Sequence, residues 1–243
     1  MARIAYDDTD AEAFAATRHP TDDGFAAWRD AVARHLAPEP GMRLLDLGAG
    51  TGSWAQAFTV WFPGLGVVAV EPSAAMRARC RFRPVLAGDA ARVPLDNASV
   101  DGAWLSTVIH HVPDLATAAR ELRRVVRPGA PVLIRSAFAG RHEAITLFRY
   151  FPEATRVLDS YPSIADVESA FADAGFATVA VEPVPQVTAA SLRAAAASLR
   201  REAHTPLQLI TDEEYAAGVA RLREAARVDT GPVVDALDLL VLR

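Results

Sequence analysis

Short apolar runs alternate with helix-forming segments along the first half of the chain. The runs at 42–47, 66–70, 84–87, 100–105 and 131–136 read as buried strands. Helix-forming segments fill 53–61, 73–80 and 115–127 between them. That alternation predicts a parallel sheet with helices on both faces. Upstream, Phe25, Trp28, Val32 and Leu36 follow the i, i+3, i+7, i+11 spacing of one helical face. Asp22 or Asp23 caps that helix, and Pro38-Glu39-Pro40-Gly41 ends it. A shorter helix is expected near 11–16.

Past residue 137 the rhythm breaks. Residues 138–162 carry Arg141, His142, Arg149, Tyr150, Arg156 and Tyr161, with Phe148 and Phe151 among them. A helix is expected over 163–174, because Ser163-x-x-Asp166 opens it and Gly175 follows it. A sixth strand is expected at 178–183 and helices at 189–203 and 211–227. The second of these helices opens on Thr211-x-x-Glu214, a capping box. A last strand at 234–242 closes the sheet. No repeat or long disordered linker is visible.

The densest local signal is Leu44-Leu45-Asp46-Leu47-Gly48-Ala49-Gly50-Thr51-Gly52, a strand running into a glycine-rich turn before a helix. Such a turn lets a ligand press against bare backbone, and the helix N-terminus adds unpaired N–H groups. A pyrophosphate or the carboxylate end of an amino-acid-like cofactor fits there. Glu71 closes the next strand, where a carboxylate can accept both hydroxyls of a ribose. A dinucleotide fingerprint would read G-x-G-x-x-G, but Ser53 stands at its sixth position. Ligands of open α/β sheets bind at the carboxyl ends of the strands. The turn, Glu71, Asp89 and Ser106 all fall at such ends.

Composition narrows the chemistry. The chain has 243 residues, enough for one large domain, and is 51% hydrophobic. It contains no lysine, so Schiff-base lysines, P-loop lysines and lysine bases are excluded. Asn97 is its single asparagine. Lysine and asparagine codons are AT-rich, so this scarcity points to a GC-rich bacterial source. One cysteine, Cys80, excludes an internal disulfide or a CxxC metal site. A net charge of −5 disfavours a nucleic-acid partner. The arginines clustered at 77–83 and 120–127 read as solvated helix faces. No apolar run approaches the length of a membrane span, and no signal peptide opens the chain, so a cytoplasmic protein is expected.

Four segments in order carry a family resemblance. Asp46-x-Gly48-x-Gly50-x-Gly52 resembles motif I of the class I S-adenosylmethionine-dependent methyltransferases. Gly88-Asp89-Ala90, the stretch Pro94–Asp101 with Leu105–Asp114, and Glu121–Ala130 resemble later segments of that family. The likeness covers roughly residues 40–137 and points to the small-molecule branch. It implies a Rossmann-like, doubly wound, seven-stranded α/β sheet, mostly parallel with an antiparallel last strand. An N-terminal helical lid (1–40), a cofactor-binding core (41–137), a substrate-side helical insert with its helix (138–175) and C-terminal elements (176–243) are expected within one globular domain.

The resemblance implies S-adenosylmethionine as cofactor and a small-molecule methyl acceptor, in a monomer or homodimer. Gly48, Ala49, Gly50 and Gly52 would pass under the methionine part, and Asp46 would order that turn or meet the amino group. Glu71, followed by Pro72, would take the ribose. Asp89 with Ala90 would read the adenine, Met76 would cover one of its faces, and Ser106 would border the site from strand four. Arg18 is a candidate for the cofactor carboxylate. His110 and His111, just past strand four, are candidates for a general base, which suits histidine near neutral pH. Their alternative is a structural role. Tyr6, His142, Arg149 and Tyr150 are substrate-side candidates, since arginine with tyrosine suits an anionic substrate. The Leu105-Ser106-Thr107-Val108 segment lacks the Asp/Asn-Pro-Pro-Tyr of family members acting on exocyclic amines. The missing lysine argues against the metal-dependent catechol type, and the paired-glutamate loop of protein arginine methyltransferases is not evident, so no metal is expected. A non-catalytic cofactor-binding protein and a nicotinamide-dependent oxidoreductase remain as alternatives.

Overall fold

The computed structural model describes residues 22–243. Seven strands form one sheet in the order β3-β2-β1-β4-β5-β7-β6. Their ranges are β1 Arg43–Leu47, β2 Gly66–Glu71, β3 Val85–Ala87, β4 Gly102–Ser106, β5 Val132–Ser136, β6 Thr178–Ala189 and β7 Val233–Leu242. β1 to β5 pair in parallel, and β7 runs antiparallel to both β5 and β6. The strand order reverses between β1 and β4, the place where open sheets leave a crevice for ligands.

Period-two alternation divides the strands between two apolar layers. Leu44, Trp104 and Leu133 pack under helix α1 (Asp22–Leu36) and helix α2 (Ser53–Trp61), against Trp28, Val32 and Phe58. Leu45, Leu105 and Ile134 face the other way, against Leu122, Val125 and Phe171. Trp28 and Val32 are fully buried, so α1 is part of the core layer. Arg34 and His35 at its end reach Glu182 of β6.

Past β5, the chain builds a second apolar cluster from Phe148, Phe151, Leu158 and Tyr161, joined by Leu207 and Leu222 from the C-terminal helices. It covers the carboxyl ends of β5 and β6 and the amino end of β7. Two expected elements differ here. β6 continues to Ala189 instead of ending near 183, because Pro183 and Pro185 lie in an edge strand, which tolerates a missing N–H. The helix expected at 189–203 shrinks to Leu192–Ser198, since β6 occupies its start and Ser191 caps it by accepting the Ala194 N–H. A short 3-10 turn, Arg201–Ala203, follows. Among the described residues no helix is long and apolar enough to cross a membrane.

Candidate active site

At the carboxyl ends of three strands the apolar layer gives way to polar residues on the same face. Two positions beyond Leu44, Trp104 and Leu133 stand Asp46, Ser106 and Arg135, all buried. The glycine turn begins directly after β1. Gly48, Gly50 and Gly52 all take left-handed backbone, with φ of +75°, +55° and +82°. The Gly48 and Ala49 N–H groups donate to the Val70 carbonyl at 2.8 and 3.0 Å, pinning the turn to β2. Gly52 then caps α2. A Cβ there would lie 2.7 Å from Cys80 Sγ, so this glycine answers to helix packing.

Glu71 locks the turn from the neighbouring strand. Its Oε2 accepts the Gly50 N–H at 2.8 Å and its Oε1 the Ser73 N–H at 2.8 Å. Burial pushes the Glu71 carboxyl up, opposed by those two backbone hydrogen bonds and by Arg77. Asp46 lies beneath. Burial first, and then the Glu71 charge, push its carboxyl up to about 7 from an ordinary 3.8, opposed by a backbone hydrogen bond from Ala55. Its Oδ2 has no hydrogen-bond partner among the described residues.

The raised Asp46 pKa links stability to pH. Near pH 4 the unfolded chain begins to lose this proton, whereas the folded chain keeps it until about pH 7. The folded state therefore binds more protons across that window and loses stability as pH rises through it. Asp46→Asn is expected to flatten this slope in urea denaturation series between pH 4 and 7. An unchanged slope would contradict the assignment.

A cavity of about 380 Å³ opens at the turn and runs toward β6 and β7. Gly48, Ala49, Gly50 and Thr51 form one end, with Trp54 and Phe25 beside them. Ser106 and His110 stand in its wall, and Tyr150, Phe151, Tyr161 and Leu222 form the far side. The His110 ring stacks on Tyr161 at 4.1 Å with an interplanar angle of 2°. His111 follows in the same 3-10 turn, Ile109–His111, with its ring 4.1 Å from that of His110.

Of the residues proposed from sequence, Gly48, Ala49, Gly50, Ser106, His110 and Tyr150 meet at this cavity. Asp46, Gly52, Glu71, Pro72, Met76, Asp89, Ala90 and His111 do not line it. Met76 is buried in its own short helix, Ala74–Arg79. Asp89 is exposed, and its Oδ1 accepts the Ala91 and Arg92 N–H groups at 2.9 Å each. Tyr6 and Arg18 lie outside the described residues.

The expected substrate-side group is corrected in two places. Arg149 is exposed and off the cavity wall, its guanidinium 5.7 Å over the Tyr150 ring. Neighbours on a helix point about 100° apart, so Tyr150 facing the cavity sends Arg149 outward. His142 also stays off the wall, set edge-on to Phe148 at 6.3 Å. The cavity instead holds Arg135, Trp54 and Gln186, which sequence reading did not single out. A signal for Arg135 existed: it is the one charged residue in the otherwise apolar run Val132-Leu133-Ile134-Arg135.

A family model described as a methyltransferase domain matches residues 21–181. A demethylmenaquinone methyltransferase from Roseiflexus is 34% identical over 130 residues, taking in 51% of this chain and 55% of the relative. The chain thus spans little more than half the length of that relative. A candidate methyltransferase of an antibiotic biosynthesis pathway from Anabaena variabilis has the same fold, with TM-score 0.68 and 22% identity over 93% of this chain and 99% of that one. So does geranyl diphosphate C-methyltransferase from Streptomyces coelicolor, solved with geranyl diphosphate, Mg2+ and S-adenosylhomocysteine, with TM-score 0.55 and 17% identity over 89% and 78% of the two chains.

Proposed function

The chain belongs to the methyltransferase-domain family, and from that premise we propose that it moves the methyl of S-adenosylmethionine to an oxygen, nitrogen or carbon atom of a small metabolite. The observation that carries the proposal is a continuous cavity joining the glycine turn to His110 and an aromatic far wall. Bare backbone at one end and apolar side chains at the other suit two ligands meeting in one enclosure.

The residues present fit the cofactor. Gly48, Ala49 and Gly50 offer backbone without side-chain bulk to its methionine part. Each Glu71 oxygen accepts one backbone N–H and keeps a lone pair for a ribose hydroxyl. Asp89 has Oδ1 committed to its own turn, which leaves Oδ2, with the Ala90 N–H, for the adenine edge. Met76 would cover one adenine face, Pro72 follows Glu71 at the tip of β2, and Gly52 lets α2 start close to Cys80. Asp46, off the cavity wall, orders the turn through Ala55. When bound, S-adenosylmethionine supplies a methyl on a positively charged sulfur with a good leaving group.

The chain's own work is then alignment, exclusion of water and removal of a proton. Trp54, Phe148 and Phe151 keep the enclosure apolar. His110 accepts the proton that an O–H or N–H nucleophile gives up, its ring held in plane by Tyr161. His111 supports His110 from the same turn. The acceptor has a largely apolar body, as the far wall requires.

Glu71→Gln is expected to weaken S-adenosylhomocysteine binding by about 1–3 kcal/mol, because an amide N–H would face a backbone N–H and the charged acceptor is lost. Calorimetry checks this, and wild-type affinity would contradict the ribose role. The function itself is tested with methyl-labelled S-adenosylmethionine and small-molecule extracts. Label appearing in a small molecule, with equimolar S-adenosylhomocysteine, is the expected result. Cofactor binding with no labelled product from any extract would favour a non-catalytic binding protein.

A further inference from the structure

Arg135 is 5% exposed, yet it borders the cavity. Its Nη1 donates to Ser106 Oγ at 3.1 Å and its Nη2 to Gln186 Oε1 at 2.7 Å. The guanidinium lies 4.9 Å from the Trp28 ring and 5.2 Å from the Trp54 ring, each a cation–π contact. Trp28 Nε1 donates to the same Gln186 oxygen at 2.9 Å, so Gln186 is itself held in place. These contacts fix the direction of a permanent cation beside a cavity whose far wall is apolar.

Its position in the sheet sets it apart from the ribose end. Ser106 ends β4 and Gln186 lies in β6, so the guanidinium spans from β4 toward the β6 edge. Glu71 ends β2, on the opposite side of the switch between β1 and β4. A ligand group that meets Arg135 therefore lies away from the ribose end. In a water-poor enclosure a fixed cation favours an anion far more than it would in water. The planar guanidinium fork suits a carboxylate or phosphate.

We infer that the methyl acceptor carries an anionic group seated on Arg135, attached to an apolar body that fills the aromatic end of the cavity. This inference rests on reading the cavity as the acceptor site of a methyltransferase. The anion preference expected from Arg149 and Tyr150 thereby moves to a strand residue. Arg135 is an acceptor-binding residue that selects substrate by charge.

The test compares 2-naphthoate with its neutral isostere 2-naphthamide, each titrated calorimetrically into wild-type protein with and without saturating S-adenosylhomocysteine. Wild-type protein is expected to bind the acid at least tenfold more tightly than the amide. Arg135→Met is expected to erase the difference, and Arg135→Lys to retain part of it. Gln186→Leu keeps the arginine but loosens its direction, and it is expected to reduce the preference; it serves if Arg135→Met does not fold. Equal binding of acid and amide by the wild type, or binding of neither, would overturn the inference. So would a preference that persists in Arg135→Met, or a loss confined to S-adenosylhomocysteine affinity. Failure of wild-type protein to bind S-adenosylhomocysteine would instead count against the methyltransferase reading, while the acid–amide comparison without cofactor still decides the role of Arg135. 2-Naphthyl phosphate, if preferred over 2-naphthoate, would assign the seat to phosphate-bearing acceptors.

Discussion

Gly48→Ala should destabilise the fold by about 2–4 kcal/mol and remove measurable S-adenosylhomocysteine binding. Two independent terms add. The backbone sits at φ +75°, a left-handed conformation that costs a residue with a Cβ roughly 1–2 kcal/mol. The added Cβ would also stand 2.4 Å from Val108 Cγ2. Val108 is β-branched and stiff, so it cannot swing aside as a long side chain would. The turn must then lift from β2, which breaks the Gly48 and Ala49 hydrogen bonds to Val70 and misplaces the Gly50 N–H held by Glu71. Gly41 provides the comparison. Its φ is +90°, but a Cβ there meets nothing within 4 Å. Gly41→Ala is expected to show the backbone cost alone, with cofactor affinity unchanged. Urea denaturation and calorimetry on both variants check the difference. Equal losses in the two would mean that the close approach to Val108 does not matter.

The second large effect falls on turnover. His110→Ala is expected to lower it by about 10²–10⁴-fold, the usual contribution of a positioned proton acceptor, with S-adenosylhomocysteine affinity within about twofold of wild type. The separation follows from geometry: His110 stands in the cavity wall beyond the glycine turn, stacked on Tyr161. His111→Ala should have a smaller effect, since His111 does not line the cavity. The pH profile of the labelled-methyl assay should lose its acidic limb in His110→Ala and keep it in His111→Ala. Equal effects of the two substitutions, or no effect of either on turnover, would remove His110 from the chemistry.

Much of the sheet is legible in the sequence because its strands are buried on both faces and therefore read as continuous apolar runs. β1, β2, β4 and β5 fall within two residues of their expected ranges. β6 is harder, because half of it faces solvent and its prolines mimic a strand end. The helix after it starts later than its alanines suggest, because pairing with β7 claims the chain through Ala189. The glycine turn and Glu71 are legible as a local pattern of a strand, a bare turn and an acid at the next strand tip. The far wall is not, since it gathers residues from β5, the 138–162 insert, β6 and the C-terminal helices, with no shared sequence period. Arg149 looked suitable by type, yet its helix turns it outward, whereas Arg135 was hidden inside a strand. The two adjacent histidines are equivalent in sequence, and only the 3-10 turn separates the one in the wall from the one behind it.

The most direct measurement is parallel calorimetric titration of the purified protein with S-adenosylmethionine, S-adenosylhomocysteine and NADH. Binding of the two sulfur compounds in the micromolar range, with none of NADH, is expected if the glycine turn and Glu71 hold the methyl donor. Binding of NADH in preference to both, or of none of the three, would contradict it.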